Sequence, residues 1–228
     1  DSLSGAEALI RWNSRKYGFI GPNTFIPLLE DSALIIPLGR WIINTAAKAC
    51  NRWITSIPDF VMHINLSFVQ IVKSNIVKDV LENIERYSAA NNHYVFEITE
   101  TIEMDQIPAV QNVFKEFVKN DFRFAIDDFG TGYSNYGYMR DRTFDIVKVD
   151  RSFVTDIDKL KDNYLMVSFI IKMAHEMGLH VCIEGVETKE ELSCVKKLGA
   201  DYIQGYYYGK PVCLQDFEEQ HLKRFVLG

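Results

Sequence analysis

The stretch Phe122-Arg123-Phe124-Ala125-Ile126-Asp127-Asp128 is a short apolar run that ends in two carboxylates. Aromatic and β-branched residues at this density, bounded by polar residues, predict a buried β-strand. The same design recurs along the chain. We predict strands at Val61 to Leu66, Tyr94 to Ile98, Phe122 to Ile126, Ile146 to Val149, His180 to Ile183 and Asp201 to Gln204.

Longer segments with helical spacing lie between these strands. We predict helices at Phe68 to Ala90, Gln106 to Asn120, Asn163 to Gly178 and Lys189 to Leu198. Two of these helices begin with a capping box, Ser67 with Gln70 and Thr188 with Glu191. Alternating strands and helices predict an α/β fold with a parallel sheet, and the candidates are a TIM-barrel-like (β/α)8 fold and an open doubly wound sheet. No Gly-x-Gly-x-x-Gly motif follows an early strand, which disfavours a dinucleotide-binding open sheet. Because no linker-like segment divides the chain, we expect residues 1–228 to form a single domain.

Polar side chains stand at the ends of these apolar runs. They are Asn65, Glu97, Asp127, Asp128, Lys148, Asp150, Glu184 and Gln204, and the N-terminal segment adds Glu7. The carboxyl ends of parallel strands in a barrel lie on one face, so these side chains are expected to converge there. Carboxylate and amide oxygens without histidine or cysteine are typical of a Mg²⁺ or Mn²⁺ site. A divalent ion would also relieve the repulsion between so many carboxylates.

Each of these residues has a simpler interpretation when it is taken alone. Asp127-Asp128 before Phe-Gly is more often a turn than a metal site. Lys148 on a strand is usually solvated, and Glu184 before a glycine is usually a loop carboxylate. The functional interpretation depends on the joint pattern, because chance rarely places a polar residue at the end of nearly every strand.

Composition limits the partners. The formal charge of −6 in 228 residues leaves no basic surface for DNA or RNA, so a phosphate ligand is expected to be a small nucleotide held by metal ions or a few cations. The apolar runs are too short to span a bilayer, and we expect no membrane contact by this domain. Four widely spaced cysteines favour the reducing cytoplasm.

The chain resembles the EAL-domain family of cyclic di-GMP phosphodiesterases over almost its whole length. The motifs that carry the resemblance are Glu7-Ala8-Leu9-Ile10-Arg11-Trp12, Ile64-Asn65-Leu66-Ser67, Phe96-Glu97-Ile98-Thr99-Glu100, Asp127-Asp128-Phe129-Gly130-Thr131-Gly132-Tyr133-Ser134, Lys148-Val149-Asp150, Glu184-Gly185-Val186-Glu187 and Gln204-Gly205-Tyr206. The resemblance implies a TIM-barrel-like (β/α)8 fold. It also implies hydrolysis of cyclic di-GMP to the linear dinucleotide 5'-pGpG with Mg²⁺ or Mn²⁺. The family's first strand would precede Asp1 and is absent from the sequence.

The resemblance also implies roles for individual residues. Glu7, Asn65, Glu97 and Asp127 look like ligands of one metal ion, and Asp127 would bridge to a second ion held by Asp128 and Glu184. Two such ions can activate a bridging water for in-line attack. Lys148 resembles the family's essential lysine, which would orient the water or stabilise the transition-state anion together with the catalytic carboxylates Glu184 and Glu7.

Further roles follow from the same resemblance. Leu9, Arg11, Asp150 and Gln204 would contact the substrate, and Glu187 would support the site. Gly130, Gly132 and Ser134 belong to the segment that matches the family's regulatory loop, which a glutamate equivalent to Glu100 anchors. In relatives that loop couples dimerisation to metal binding, so we expect a homodimer. We also expect a GGDEF or sensory domain upstream in the full protein. Other domains of the full protein could anchor it to a membrane.

Two other functions compete with the enzyme. One is a catalytically silent receptor that binds cyclic di-GMP and signals through its dimer. The other is a protein-interaction scaffold, which would leave the carboxylate cluster unexplained. Silent relatives usually lose a metal ligand or the lysine, and this chain retains them all, so the sequence favours the enzyme.

Overall fold

The structure, a computed structural model, describes residues 2–99, 108–131 and 143–222. Its strands are β1 (Gly5–Ala8), β2 (Trp12–Ser14), β3 (Gly18–Ile20), β4 (Val61–Asn65), β5 (Tyr94–Thr99), β6 (Arg123–Phe129), β7 (Ile146–Val149), β8 (His180–Ile183) and β9 (Tyr202–Ile203). Its α-helices are α1 (Pro22–Asp31), α2 (Ile35–Trp53), α3 (Phe68–Lys73), α4 (Ile76–Ile84), α5 (Pro108–Lys119), α6 (Lys161–Glu176), α7 (Lys189–Leu198) and α8 (Leu214–Phe217). Short 3-10 helices cover Asn91–His93 and Arg151–Phe153, and a π-helical turn covers Glu218–Leu222.

The chain divides into two compact units. The first consists of residues 1–96, 107–123 and 212–228, and the second of residues 97–106 and 124–211. Strand β5 passes from the first unit to the second between Phe96 and Glu97. The single domain expected from the sequence remains a prediction.

The first unit contains the sheet order β1-β4-β5. β1 pairs with β4 in parallel, with Glu7 opposite His63. Helix α2 packs on this sheet through a buried stripe that recurs every three or four residues, as an amphipathic helix requires. The stripe consists of Ile35, Gly39, Ile43, Ala46, Ala47, Ala49, Cys50 and Trp53. The ring of Phe96 meets those of Phe117 and Phe122 at centroid distances of 5.1 and 5.5 Å, which closes the core beside β5.

The second unit continues the order as β5-β6-β7-β8-β9. The pairs β6 with β7, β7 with β8, and β8 with β9 are parallel. β7 is buried along its whole length, as expected for a central parallel strand covered on both faces. In its register with β8, Lys148 lies opposite Cys182, and Glu184 follows the last paired residue, Ile183. The strands therefore deliver Lys148 and Glu184 to the same edge of the sheet.

The predicted alternation of strands and helices is confirmed, and all six predicted strands are present with shifts of up to three residues at their ends. Both predicted capping boxes are also present. The prediction of one helix from Phe68 to Ala90 is wrong, because that segment forms α3 and α4. Ser74 is extended between them, and the side chain of Asn75 accepts a hydrogen bond from the Lys78 N–H and begins a new helix.

Sequence reasoning did not identify the helices α1 and α2 or the antiparallel pair of β2 and β3. The spacing of Ile35, Gly39 and Ile43 is the signal that could have revealed α2. Among the residues that the structure describes, no helix combines the length and the hydropathy needed to cross a bilayer.

Candidate active site

The buried ammonium of Lys148 lies among three carboxylates of the second unit. Its Nζ is 2.8 Å from Glu97 Oε2, 2.9 Å from Asp127 Oδ1 and 2.9 Å from Glu184 Oε1. Lys148 and Glu97 are each 1% exposed. A lysine and carboxylates this deeply buried are tolerated because each charge has partners of opposite sign at contact distance. The solvated lysine of the simpler interpretation is therefore ruled out.

Asp127 and Asp128 lie at an irregularity of β6. The register between β6 and β7 shifts between Ile126 and Phe129, as at a β-bulge. Asp128 has a φ of 53°, in the left-handed region that residues other than glycine rarely adopt. Consecutive side chains of a regular strand point to opposite faces, and a bulge changes where a side chain points. At this bulge the ligand atoms of Asp127, Asp128 and Glu184 all lie within 4.8 Å of one another.

This cluster fits a divalent metal ion. The three side chains offer carboxylate oxygens, the ligands that Mg²⁺ and Mn²⁺ prefer. Asp127 Oδ1 is buried, and although it forms the ion pair with Lys148, it accepts no hydrogen bond from any donor in the described part of the chain. A buried carboxylate oxygen without a hydrogen bond is costly, and coordination to a cation would satisfy it.

The turn after β8 fixes Glu184. The N–H of Glu184 donates to Val149 O at 3.1 Å, and the N–H of Val186 donates to Gln204 O at 3.2 Å. Gly185 between them has a φ of 71°, which only glycine adopts without strain. The side chain of Glu187 forms an ion pair with Arg151 at 3.0 Å. Backbone contacts therefore hold the chain on both sides of Glu184.

The carboxylate of Glu191 stabilises the segment that follows this turn. It accepts hydrogen bonds from the N–H groups of Glu187, Thr188 and Asp156 at 2.9 to 3.2 Å. Burial acts to raise the pKa of Glu191, but these three donors and the Thr188 side chain together outweigh it and lower the pKa. Glu187 thus supports this turn through its backbone as well as its side chain.

In the first unit, the structure brings Glu7 and Asn65 together. Asn65 Nδ2 donates a hydrogen bond of 2.7 Å to Glu7 Oε1. The parallel register of β1 and β4 accounts for the contact, because Ala8 lies opposite Ile64 and both side chains stand at the carboxyl ends of their strands. These two predicted metal ligands are therefore neighbours.

The predicted substrate contacts are placed as follows. Leu9 and Arg11 are exposed, and Arg11 Nη1 donates to the carbonyl of Ile10 at 2.9 Å. Asp150 caps the 3-10 helix through a bond from the Ser152 N–H to Oδ1 at 2.9 Å. Gln204 bonds the backbones on both sides of Glu184 through its own N–H and carbonyl. Glu100, Gly132 and Ser134 lie outside the described residues.

Residues 1–211 match the family model described as EAL domain. A cyclic di-GMP phosphodiesterase of Escherichia coli K12, PdeL, is 32% identical over 213 residues, which cover 92% of this chain and 58% of PdeL. The chain therefore spans little more than half the length of that relative.

Two solved structures are similar to this chain. One is the PaMucR phosphodiesterase in complex with c-di-GMP, with a TM-score of 0.87 and 30% identity, covering 94% of this chain and 87% of that chain. The other is the EAL enzyme Bd1971 with cAMP and cyclic di-GMP bound, with a TM-score of 0.90 and 35% identity, covering 98% of this chain and 61% of that chain. The predicted TIM-barrel-like (β/α)8 fold class is confirmed by this likeness.

Proposed function

Because the chain belongs to the EAL domain family, we propose that it hydrolyses cyclic di-GMP to linear 5'-pGpG in a reaction that depends on Mg²⁺ or Mn²⁺. The observation that carries the proposal is the buried contact of Lys148 with Glu97, Asp127 and Glu184. A cyclic dinucleotide also suits the net charge of −6, because a small ligand needs only a local cationic site.

We assign the metal ions to carboxylate and amide oxygen ligands. One ion would take Glu7, Asn65, Glu97 and Asp127, and the second would take Asp127, Asp128 and Glu184. The bound ions would lower the pKa of a coordinated water and neutralise charge on the phosphoryl oxygens. The support from this chain is the clustering of Asp127, Asp128 and Glu184 and the hydrogen bond from Asn65 to Glu7.

Lys148 would act directly on the reacting groups. Its three carboxylate contacts fix the position of the ammonium, and its burial excludes bulk water, so its charge acts through a low dielectric. It would orient the attacking water and stabilise the negative charge that develops on the phosphoryl oxygens. The catalytic carboxylates Glu184 and Glu7 would hold the water while it loses its proton.

The reaction consumes one water molecule. The water oxygen forms a bond to phosphorus, the bond from phosphorus to the 3' oxygen breaks, and a proton passes to that oxygen. The phosphate remains on the 5' side, which yields 5'-pGpG. Arg11 would bind a phosphate, and Leu9, Asp150 and Gln204 would contact the nucleotide.

We propose that the loop after Asp128 regulates the site. The segment that contains Gly130, Gly132 and Ser134, anchored by Glu100, would link a homodimer interface to the metal ligands that precede it. The domain would act in the cytoplasm, and a GGDEF or sensory domain upstream would supply the input.

The test is incubation of the purified domain with cyclic di-GMP and Mn²⁺, with linear product followed by chromatography. We expect turnover by the wild type and loss of turnover in Lys148→Ala and Glu7→Ala. Lys172→Ala is the matched control, because Lys172 is an exposed lysine on α6 of the same unit, and it should retain full activity. Tight binding without turnover would overturn the enzyme in favour of the silent receptor.

A further inference from the structure

A single turn of 3-10 helix follows the strand that carries Lys148. It spans Arg151–Phe153 and begins immediately after Asp150. The hydrogen bonds that hold it include those from the Ser152 N–H to Asp150 Oδ1 at 2.9 Å, from the Phe153 N–H to Asp150 O at 3.1 Å and from the Val154 N–H to Arg151 O at 2.9 Å. The turn is thus bonded to Asp150, the residue that directly follows β7.

Phe153, the last residue of this turn, lies against Gly130. A Cβ atom at Gly130 would stand 2.7 Å from Phe153 Cε2, closer than real Cβ contacts allow. Gly130 also has a φ of 96°. It follows Asp128 by two residues, so the aromatic ring rests on the backbone that leaves the Asp127-Asp128 bulge. Because only glycine permits this approach, the position of the ring and the path of that backbone depend on each other.

Arg151, at the other end of the turn, packs in the same way on Gly185. A Cβ atom at Gly185 would lie 2.6 Å from Arg151 Cβ. Gly185 directly follows Glu184, and the guanidinium continues to Glu187, 3.0 Å away. The side chains of Arg151 and Glu187 are 56% and 38% exposed, so the ion pair itself contributes little. The aliphatic stem of Arg151 against Gly185 is the closer constraint on Glu184.

We infer that the Arg151–Phe153 turn is a positioning element that sets the spacing between the Asp127-Asp128 carboxylates and the Glu184 carboxylate. Arg151 and Phe153 would touch neither metal nor substrate. They would act by holding two glycines, each of which lies one or two residues after a metal ligand. Outer residues that orient metal ligands affect metal affinity strongly, because a ligand that can move pays an ordering cost when the ion binds. The inference rests on the proposed metal-dependent function.

The test measures Mn²⁺ binding to the metal-free domain by electron paramagnetic resonance, without any substrate. We expect Phe153→Ala and Phe153→Leu to weaken Mn²⁺ binding by about 10-fold or more, the range typical for residues behind metal ligands. Arg151→Ala should weaken binding similarly. Arg151→Met retains an unbranched stem against Gly185 but removes the ion pair, so it should bind Mn²⁺ nearly as well as the wild type.

Phe144→Leu is the matched control for a general loss of packing. Phe144 is a buried aromatic residue of the same unit that packs on Phe124 at a centroid distance of 6.1 Å. It should lower the thermal midpoint of the metal-free domain and leave Mn²⁺ affinity unchanged. A positioning role therefore changes the Mn²⁺ affinity of the folded domain, whereas a merely structural role lowers the thermal midpoint and leaves that affinity unchanged.

The outcomes separate this inference from the proposed function. If the wild type binds no Mn²⁺, the proposed function fails, and this inference fails with it. If the wild type binds Mn²⁺ and the folded Phe153 variants bind it equally well, the inference alone is overturned. It is also overturned if Phe144→Leu weakens Mn²⁺ binding as much as Phe153→Leu does.

Discussion

Acidic residues stand at both ends of the strands in the second unit, but their partners differ between the two ends. At the amino ends, Asp145 Oδ2 accepts the Phe124 N–H at 3.0 Å and Asp201 Oδ2 accepts the Val181 N–H at 2.7 Å. At the carboxyl ends, Glu97, Asp127 and Glu184 face the ammonium of Lys148. Carboxylates that bind backbone amides hold the sheet together, whereas carboxylates gathered around a cation form a site. The partner of a carboxylate, more than its presence, therefore indicates its role.

The two ends of the strands also differ in which groups surround their carboxylates. Burial acts to raise the pKa of Asp201, but the His175 hydrogen bond at 2.8 Å and the Val181 amide outweigh it and lower the pKa. Asp201 Oδ2 thus has two hydrogen-bond partners within the protein. At the other end, Asp127 Oδ1 has an ion pair but no hydrogen bond among the described residues. Protein groups bind the Asp201 carboxylate at the amino ends, whereas the cluster at the carboxyl ends could hold a metal ion.

The largest expected effect comes from removing the buried cation. Lys148→Met should lower the free energy of unfolding of the metal-free domain by about 3–5 kcal/mol, because it removes the buried cation that Glu97, Asp127 and Glu184 share. Mn²⁺ should restore part of this loss but no turnover, since we propose that the ammonium also stabilises the transition state. Urea unfolding with and without Mn²⁺ measures both effects. Unchanged stability of the metal-free variant would contradict the role assigned to Lys148.

A smaller effect is expected at the amino ends. Asp201→Ala should lower the free energy of unfolding by about 1–3 kcal/mol, because the Val181 N–H loses its acceptor. The amount of product formed per folded molecule should not change. A loss of turnover at constant folded fraction would show that the two ends are not functionally distinct.

The smallest effect is the pH dependence of the contribution of Asp201. Its pKa is lower in the folded than in the unfolded chain, so its ionised form stabilises the fold above the unfolded pKa of about 4. The stability difference between the wild type and Asp201→Asn should be largest near neutral pH and should shrink as the pH falls through the folded pKa. Urea midpoints between pH 7 and pH 3 measure it. A difference that grows toward acidic pH would have the wrong sign.

The sequence predicted the strands well because their apolar runs are short and end in clear polar residues. It predicted a site at the carboxyl ends of the strands because parallel strands place those ends on one edge of the sheet. The break between α3 and α4 was missed because Asn75 competes with helix continuation through its side chain, which hydrophobic spacing does not show. The partners of Gly130 and Gly185 could not be predicted, since their contacts with Phe153 and Arg151 depend on backbone paths that only the fold defines.

The most direct test of the metal site compares two equivalent substitutions, Asp127→Asn and Asp201→Asn. Each replaces a carboxylate of the second unit by an amide. Asp127 lies at the carboxyl ends of the strands, and Asp201 lies at the amino ends. Mn²⁺ binding to each metal-free variant is measured by calorimetry. We predict that Asp127→Asn weakens Mn²⁺ binding by at least about 100-fold, beyond the usual effect of residues behind the ligands, and that Asp201→Asn binds as the wild type does. Equal Mn²⁺ affinity in wild type and Asp127→Asn would contradict the account.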